Sequence, residues 1–202
     1  MLTVLTGTKS QLPHNVEREL ANYRYEVFVK AMQWQLSAVD DLEFDQFDGP
    51  HTLYVIAKDS DGLICGCARL LPTTEAYLLG ELFPGLLSGE PAPHTPDVWE
   101  LSRFSTKVTG ELSQLSRDEA RKRFCVLFAA VVEAALEKGA IRLITFTAMG
   151  IERILRSIGL HVHRVGPPQW IDGRPSLALW IELDDQTCNA LQLSQSSRAL
   201  SD

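Results

Sequence analysis

The chain has 202 residues, of which 45% are hydrophobic and 22% charged, a composition typical of one globular domain with a substantial core. The formal net charge of −7 argues against a general nucleic-acid-binding surface, and no apolar run approaches the length of a membrane span. The first residues lack the basic region of a signal peptide, and the four cysteines are too scattered for a disulfide framework. We therefore expect a cytoplasmic protein with a single domain over residues 1–192 and a flexible tail at 193–202.

The first seventy residues predict a strand, a helix and a β-hairpin. Residues 2–6 form a short apolar strand, and apolar residues recur at helical spacing over 16–31. The apolar runs 52–58 and 63–71 flank the turn-forming residues 59–62, and this pattern predicts a hairpin.

Charged residues interrupt these apolar segments. Arg24 and Phe28 are four residues apart and share one face of the predicted helix, although Phe28 alone would also fit an ordinary core position. Arg69 lies late in the second strand of the hairpin. Residues 40–48 contain five acids interleaved with apolar side chains, which predicts a loop folded onto the body with some carboxylates pointing inward.

The second half of the chain predicts an irregular segment followed by four strands and two helices. Residues 72–97 are rich in proline and glycine and are interpreted as a lid or wall. The capping box at 116–119 opens a long helix that Gly139 ends. The other elements are strands at 99–104, 141–147, 161–165 and 177–183 and a helix at 150–157.

The order of these elements predicts an α/β fold. A mixed central β-sheet flanked by helices would form a three-layer sandwich that resembles the GNAT (acyl-CoA N-acyltransferase-like) architecture. Dinucleotide-binding, P-loop and serine-hydrolase signatures are absent, and so is the glycine-rich turn with which ordinary GNAT enzymes hold coenzyme A pyrophosphate. His161 and His163 lack nearby ligands, so no metal site is predicted.

The strand at 99–104 combines apolar residues with a carboxylate, a hydroxyl and a guanidinium. Alternation places Glu100 and Ser102 on one face of the strand and Arg103 on the other. A buried charge costs on the order of several kcal/mol unless it is paired. These residues therefore indicate either chemistry or a structural ion pair between Glu100 and Arg103.

The charged and aromatic residues resemble the invariant set of one enzyme family, the acyl-homoserine-lactone synthases, which are bacterial quorum-sensing autoinducer synthases. The resemblance runs from about Arg24 to Leu183 and departs from the family at Gln33, where many relatives have glycine. The residues that carry it are Arg24, Phe28, Trp34, Glu43, Asp45, Asp48, Arg69, Phe83, Glu100 and Arg103.

The resemblance implies transfer of an acyl group from acyl carrier protein to the amine of S-adenosylmethionine, followed by lactone closure and release of methylthioadenosine. It implies Glu100 as the general base, with Asp45 and Arg103 as further catalytic residues. Aromatic rings suit the sulfonium, which is a fixed cation. S-adenosylmethionine is a substrate, and no cofactor is expected. The implied S-adenosylmethionine site consists of Arg24, Phe28, Trp34, Asp45, Asp48, Arg69, Phe83, Ser102, Arg103 and Phe104.

The acyl chain would need an apolar pocket, and we expect a medium chain such as octanoyl. Any single lining residue fits an ordinary core position equally well. Thr145 and Thr147 alternate on an otherwise apolar strand and could bond an acyl β-oxygen or one another. The predicted lining is Leu101, Ile144, Thr145, Phe146, Thr147, Met149 and Leu155.

An acidic carrier protein would need a local basic patch, because this chain is itself negative. Arg153 and Arg156 share one helix face and Arg142 precedes them, although a solvated face is an equal interpretation. A second candidate patch is formed by Arg117, Arg121 and Lys122.

Two other functions fit the sequence. One is an ordinary acyl-CoA N-acyltransferase, which the missing pyrophosphate turn disfavours. The other is a non-catalytic protein that binds S-adenosylmethionine or acyl carrier protein, which the retained charged set disfavours. In every case we expect a monomer without nucleic-acid or membrane partners.

Overall fold

The computed structural model describes residues 2–108 and 115–193, which form two compact units. The first unit contains the described residues up to Arg69 and those from Arg103 to Ala130, and the second contains Leu70–Ser102 and the residues from Val131 onward. The tail predicted at 193–202 lies, apart from Leu193, outside the described residues. The single domain over 1–192 stays a prediction.

The described residues contain ten strands, five α-helices, one π-helix and one 3-10 helix. The strands are β1 (Thr3–Thr8), β2 (Ala38–Val39), β3 (Leu42–Glu43), β4 (Leu53–Lys58), β5 (Ile64–Pro72), β6 (Val98–Ser105), β7 (Arg142–Ala148), β8 (Val162–Arg164), β9 (Gln169–Ile171) and β10 (Arg174–Glu182). The helices are α1 (Val16–Arg24), the π-helix (Tyr25–Ala31), α2 (Leu78–Leu82), the 3-10 helix (Pro84–Leu87), α3 (Arg117–Glu137), α4 (Met149–Ile158) and α5 (Asp185–Ala190).

In the first unit, β1, β4 and β5 are consecutive neighbours in the sheet, and the final residues of β6 follow β5. Strand β1 is antiparallel to β4, with Thr3 opposite Lys58 and Thr8 opposite Leu53. The apolar face of α1 and the π-helix packs with this sheet in one buried cluster. That cluster consists of Val16, Leu20, Tyr23, Val27, Phe28, Tyr54, Ile56, Ile64 and Cys67.

In the second unit, the first half of β6 is followed in the sheet by β7, β10 and β8. Strands β6 and β7 are parallel, with Leu101 opposite Thr145, whereas β10 is antiparallel to β7 and to β8. Helix α4 packs on β7 and β10. The prediction of a mixed sheet flanked by helices is therefore confirmed.

The capping box at the start of α3 is also confirmed. The backbone N–H of Ser116 donates to the Glu119 carboxylate at 3.0 Å, and the N–H of Glu119 donates to Ser116 Oγ at 3.3 Å. No helix in the described part of the chain is long and apolar enough to cross a membrane.

Several elements differ from the sequence prediction. The helix predicted over 16–31 changes to a π-helix at Tyr25, a change that apolar spacing does not reveal. The acidic segment contains β3, which pairs with β2 just before it in a hairpin whose turn places both Asp40 and Asp41 at positive φ. The segment interpreted as irregular contains α2 and the 3-10 helix, while β9 and α5 are additional. These short elements carry too few residues for a periodic signal.

Candidate active site

Three arginines and three carboxylates form an ion cluster in the first unit, which we call the charged cluster. The arginines come from three elements: α1 supplies Arg24, β5 supplies Arg69 and β6 supplies Arg103. All three side chains are buried. The carboxylates of Glu43, Asp45 and Asp48 all come from β3 and the loop that follows it. Equal numbers of positive and negative charges make the cluster neutral, which is how burial of six ions is tolerated.

Arg24 and Arg69 both donate hydrogen bonds to Asp48 Oδ1. Arg24 donates from Nε to Glu43 at 2.5 Å and from Nη1 to Asp48 Oδ1 at 2.8 Å. Arg69 donates from Nη1 to Asp45 at 2.5 Å and to Asp48 Oδ1 at 3.2 Å. The hydroxyl of Tyr54 donates to the same Asp48 oxygen at 2.9 Å, a contact that sequence reasoning missed.

Arg103 joins the other two carboxylates. Its Nη2 donates to Glu43 Oε1 at 2.9 Å and to Asp45 Oδ2 at 2.8 Å. Its backbone φ of +50° is unusual in a strand and interrupts the alternation predicted along β6. Glu43, which the sequence prediction includes in the family pattern without a role, is fully buried and bonds two arginines.

Electrostatics keep two carboxylates of the charged cluster, Asp48 and Glu43, ionised. Burial opposes the charge of Asp48, but the positive charges and hydrogen bonds of Arg24, together with the charge of Arg69, hold its pKa well below the usual range. Burial likewise opposes the charge of Glu43, and hydrogen bonds from Arg24 and Arg103 outweigh it and lower the pKa. The same pairing raises the pKa of Arg24 despite its burial. At neutral pH, Asp48, Glu43 and Arg24 therefore stay charged.

An aromatic pair lies against the charged cluster. The rings of Phe28 and Trp34 stack with centroids 4.9 Å apart. The Arg103 guanidinium lies over both rings, at 5.7 Å from Phe28 and 5.9 Å from Trp34. Phe28 is 0% exposed, whereas Trp34 is 36% exposed. The pair therefore already binds one cation, and only Trp34 retains an accessible surface.

A surface cleft of about 530 Å³ follows the π-helix in the first unit. Trp34 lies in its wall. The other lining residues are Val29, Lys30, Gln33, Gln35, Leu36 and Ser37.

Glu100 has a well-defined position in the second unit. Its carboxylate is 0% exposed and accepts the backbone N–H groups of Leu78 at 2.8 Å and Leu79 at 2.7 Å. These are the first residues of α2, whose N-cap residue Tyr77 makes no side-chain capping bond. Glu100 therefore satisfies N–H groups that the start of a helix leaves without intrahelical partners. Its assignment as the general base stays a prediction.

Two predicted S-adenosylmethionine contacts have other neighbours. The Phe104 ring packs on Phe124 and Phe128 of α3, at 4.9 and 5.4 Å between centroids. The Phe83 ring lies 4.5 Å from Phe146, which is predicted to line the acyl pocket. Ser102 is half-buried on β6. The assignment of these three residues to the S-adenosylmethionine site stays a prediction.

The predicted acyl-pocket residues lie on β6, β7 and α4 of the second unit. Leu101, Ile144 and Leu155 are buried, while Phe146, Thr147 and Met149 are partly exposed. Thr145 is buried, and its hydroxyl donates to the Leu101 carbonyl at 2.7 Å. The Thr145 hydroxyl thus donates to a carbonyl of the neighbouring strand and not to Thr147, while its bond to an acyl oxygen stays a prediction.

The predicted docking arginines differ in their contacts. Arg142 pairs with Glu182 at 3.6 Å and lies 5.0 Å over the Trp180 ring. Arg156 pairs with the buried carboxylate of Glu152 at 3.1 Å, while Arg153 is exposed. Arg164 of β8 bonds the same Glu152 carboxylate through Nε and Nη2. Arg164 was not predicted, since its strand position gave no signal.

Within the described residues, no group of three or more His, Cys, Asp or Glu side chains is arranged to hold a metal ion. The three carboxylates of the charged cluster are occupied by arginines.

Comparison with known proteins identifies the family. The family model described as autoinducer synthase matches residues 9–191. The chain belongs to the autoinducer synthase family. This autoinducer synthase is 45% identical over 189 residues to the acyl-homoserine-lactone synthase of Ralstonia nicotianae, covering 93% of this chain and 92% of the relative. The family predicted from the sequence is confirmed, and the enzyme is an acyl-homoserine-lactone synthase and hence an acyltransferase.

Solved structures agree with this identification. The structure of TofI in a ternary complex with an inhibitor and MTA is 43% identical, with a TM-score of 0.84, and the match covers 96% of this chain and 99% of TofI. The CoA-dependent acyl-homoserine lactone synthase BjaI, solved with SAM and isopentyl-CoA, is 25% identical with a TM-score of 0.79, covering 95% of this chain and 87% of BjaI. An acyl-CoA N-acyltransferase from Pseudomonas aeruginosa shares the fold at 16% identity, with a TM-score of 0.59 and coverage of 89% and 99%. The GNAT-like architecture is thus confirmed.

Proposed function

We propose that this autoinducer synthase transfers an acyl group from acyl carrier protein to the amine of S-adenosylmethionine and then closes the lactone, releasing methylthioadenosine. The observation that carries this proposal is the charged cluster with the Phe28–Trp34 pair beside it. S-adenosylmethionine combines an ammonium, a carboxylate and a sulfonium, and the first unit contains groups complementary to each. TofI, which is similar over nearly its whole length, is solved with MTA, the product that this reaction would release.

The ammonium and the carboxylate of the substrate have candidate partners in the charged cluster. The side chain of Asp45 is 14% exposed, more than that of Asp48 or Glu43, and is the acid best able to accept the substrate ammonium. Arg24 Nη2 has no hydrogen-bond partner in the part of the chain that the structure describes. That N–H group is buried, and we assign it to a substrate carboxylate that would enter the cluster. Arg69 and Arg103 would hold the acids in place.

The sulfonium would bind against Trp34. Cation–π attraction to an aromatic face is worth about 0.5–2 kcal/mol, and more when the cation is desolvated. The pair already attracts the Arg103 guanidinium, which supports a site of this electrostatic character. Because Phe28 is fully buried, it would not contact the sulfonium and would instead hold the indole in place by stacking on it.

The chemical steps follow from the substrate groups. The substrate ammonium loses a proton to the proposed base Glu100, directly or through water, and its lone pair attacks the thioester carbonyl. The carbon–sulfur bond of the thioester breaks, which leaves an amide and the carrier thiol. The substrate carboxylate then attacks the γ-carbon of the methionine portion, which is bonded to the sulfonium sulfur. This attack forms the ester bond of the lactone while the bond between the γ-carbon and the sulfur breaks. Methylthioadenosine leaves with that electron pair, so the reaction needs no cofactor.

The acyl chain would lie along β6, β7 and α4 of the second unit. A medium chain such as octanoyl fits the proposal, with the partly exposed Phe146 and Met149 near its entry. The Thr145 proton is committed to Leu101, so Thr147 is the better donor for an oxygen on carbon 3 of the acyl group.

Acyl carrier protein is the proposed donor because of a basic patch on the second unit. We call Arg153, Arg156 and Arg164 the basic patch; together with the Glu152 carboxylate that pairs with two of them, they carry two net positive charges. Coenzyme A is the alternative donor, favoured by the similarity to the CoA-dependent BjaI.

The test measures both products in one assay. Purified enzyme is mixed with S-adenosylmethionine and octanoyl carrier protein, and we expect methylthioadenosine and free carrier thiol in equal amounts. Omission of S-adenosylmethionine is the control and should abolish thiol release. Thiol without methylthioadenosine would indicate a plain acyltransferase, and release of neither product would contradict the proposal. A parallel assay with octanoyl coenzyme A identifies the donor by comparison of kcat/KM.

A further inference from the structure

The turn that carries Trp34 has an unusual backbone. The π-helix ends with a bond from the N–H of Met32 to the Val27 carbonyl at 2.9 Å, and the N–H of Trp34 reaches back to the Phe28 carbonyl at 2.9 Å. Between them, Gln33 has a φ of +56°, in the left-handed region. A left-handed conformation costs a residue with a side chain roughly 1–2 kcal/mol, and glycine avoids most of this. A glutamine at this position therefore requires a compensating interaction.

The side chain of Gln33 supplies that interaction. Its Nε2 donates to the Lys30 carbonyl at 2.5 Å. Lys30 lies in the last turn of the π-helix, where carbonyl groups lack intrahelical partners. A glycine or alanine in place of Gln33 could not make this bond. The Gln33 side chain therefore links the position directly before Trp34 to the last turn of the π-helix.

Trp34 depends on this turn more than a core residue would. More than a third of its side chain is exposed, and its recorded ring contacts are with Phe28 and Arg103. Gln33 and Trp34 both line the 530 Å³ cleft. Because an exposed indole is not confined by packing on all sides, its orientation follows from the backbone that carries it.

We propose that Gln33 is a positioning residue, whose bond to the Lys30 carbonyl holds the Trp34 indole against Phe28 with its exposed surface toward the cleft. Gln33 acts through Trp34 and makes no contact with the reacting atoms. The proposal rests on the proposed function in one respect, since the ligand that meets the indole is the sulfonium of S-adenosylmethionine.

The test combines a binding cycle with a spectroscopic measurement. Gln33→Ala removes the amide and keeps the left-handed backbone, whereas Gln33→Gly removes the amide and relieves the backbone. In Gln33→Ala we expect the Kd for S-adenosylmethionine to rise about 3- to 10-fold, the range that the net worth of one hydrogen bond implies. The kcat at saturating substrate and the KM for the acyl donor should change less than about 2-fold, as for lost ground-state binding.

The double variant Trp34→Ala with Gln33→Ala tests whether Gln33 affects S-adenosylmethionine binding through Trp34. In a Trp34→Ala background, Gln33→Ala should change the Kd by less than about 2-fold, because residues that act as one unit are not additive. An equal effect in both backgrounds would overturn the proposal, since Gln33 would then act independently of Trp34.

Fluorotryptophan labelling with ¹⁹F NMR reports on the indole without any ligand. The Trp34 resonance, assigned by its loss in Trp34→Phe, should shift or broaden in Gln33→Ala, while those of Trp99, Trp170 and Trp180 stay in place. An unchanged Trp34 resonance would overturn the proposal. Failure of the wild-type enzyme to bind S-adenosylmethionine would contradict the proposed function, and the NMR result would still decide the positioning role. Gln33→Gly gives the same comparison if Gln33→Ala fails to fold.

Discussion

At the scale of single residues, two carboxylates of the charged cluster, Asp48 and Glu43, stay ionised at neutral pH. The depressed pKa of Asp48 means that its native carboxylate binds protons less readily than it does in the unfolded chain. The stabilisation is therefore fully present above the unfolded pKa of about 3.9 and is lost as the pH falls toward the native value. Glu43 contributes with the same sign.

Asp48→Asn should destabilise the protein and flatten its response to acid. The substitution leaves Arg24 and Arg69 without a shared anion, and removal of one partner of a buried pair costs roughly 3–5 kcal/mol. Urea unfolding at pH 7 and at about pH 3, below the unfolded pKa, measures both effects. The wild type should lose more unfolding free energy between these values than the variant does. Glu90→Gln is a control at an exposed acid, and a similar loss there would contradict the assignment to Asp48.

Glu100 combines a structural contact with a proposed chemical role. Two backbone N–H bonds to its carboxylate favour the anion, whereas complete burial disfavours it. A base that also caps a helix is held in one orientation, which is an advantage for proton transfer.

Glu100→Gln should lower both stability and turnover. The new amide group directs donors at an N–H of α2, and leaving a buried donor unsatisfied costs about 1–3 kcal/mol. If Glu100 is also the base, kcat should fall by roughly 10²- to 10⁴-fold at a temperature where the variant is folded. Asp184→Ala is the matched control, because Asp184 caps α5 by accepting the N–H of Thr187 at 3.1 Å. Equal turnover in the two variants would rule out the base role.

At the scale of elements, α4 offers a clean test of carrier docking. Arg153 is exposed, whereas Arg156 is tied to Glu152. Arg153→Glu therefore changes the surface charge without disturbing the ion pair that α4 and β8 share.

Arg153→Glu should raise the KM for acyl carrier protein by about 3- to 30-fold, since charges at the edge of an interface act on association. The Kd for S-adenosylmethionine should not change. Lys122→Glu on α3 is the control with the same change in net charge and tests the second candidate patch. A larger effect from Lys122→Glu would move the docking site to α3.

The comparison of sequence and structure is also clearest at the scale of elements. The long strands and α3 follow from hydrophobic periodicity and the capping box, because each carries many residues of one pattern. The π-helix does not, since its side chains have nearly the same spacing as those of an α-helix. The residues of the charged cluster follow from the family pattern, but which arginine meets which acid depends on three-dimensional contacts between segments up to 60 residues apart. The contact of Glu100 with α2 was missed because α2 has only five residues.

At the scale of the whole molecule, the net charge of −7 opposes the approach of any acidic partner. If acyl carrier protein docks at the basic patch, local attraction there must exceed this repulsion at short range. Salt screens both the local attraction and the overall repulsion, with a Debye length of about 10 Å at 0.1 M.

Wild-type enzyme and Arg153→Glu should therefore respond to salt in opposite directions. Between about 0.05 and 0.3 M salt, the wild-type KM for acyl carrier protein should rise as the patch is screened. The KM of the variant should fall, because only repulsion remains to be screened. Steady-state assays over this range give both slopes, and octanoyl coenzyme A is the control substrate. Parallel slopes for the two proteins would contradict docking at the basic patch.

The discontinuous first unit has a consequence for biosynthesis. Residues 70–102 separate Arg69 from Arg103 in the chain, so Arg103 leaves the ribosome well after Glu43, Asp45 and Asp48. Until then, three carboxylates face only two guanidiniums, so the incomplete cluster carries one net negative charge. Burial of an uncompensated charge is strongly unfavourable, so we expect the acidic loop to stay hydrated until β6 is complete. We therefore expect the charged cluster to close late in synthesis, and a nascent chain that ends before Arg103 should present an open acidic loop to proteases.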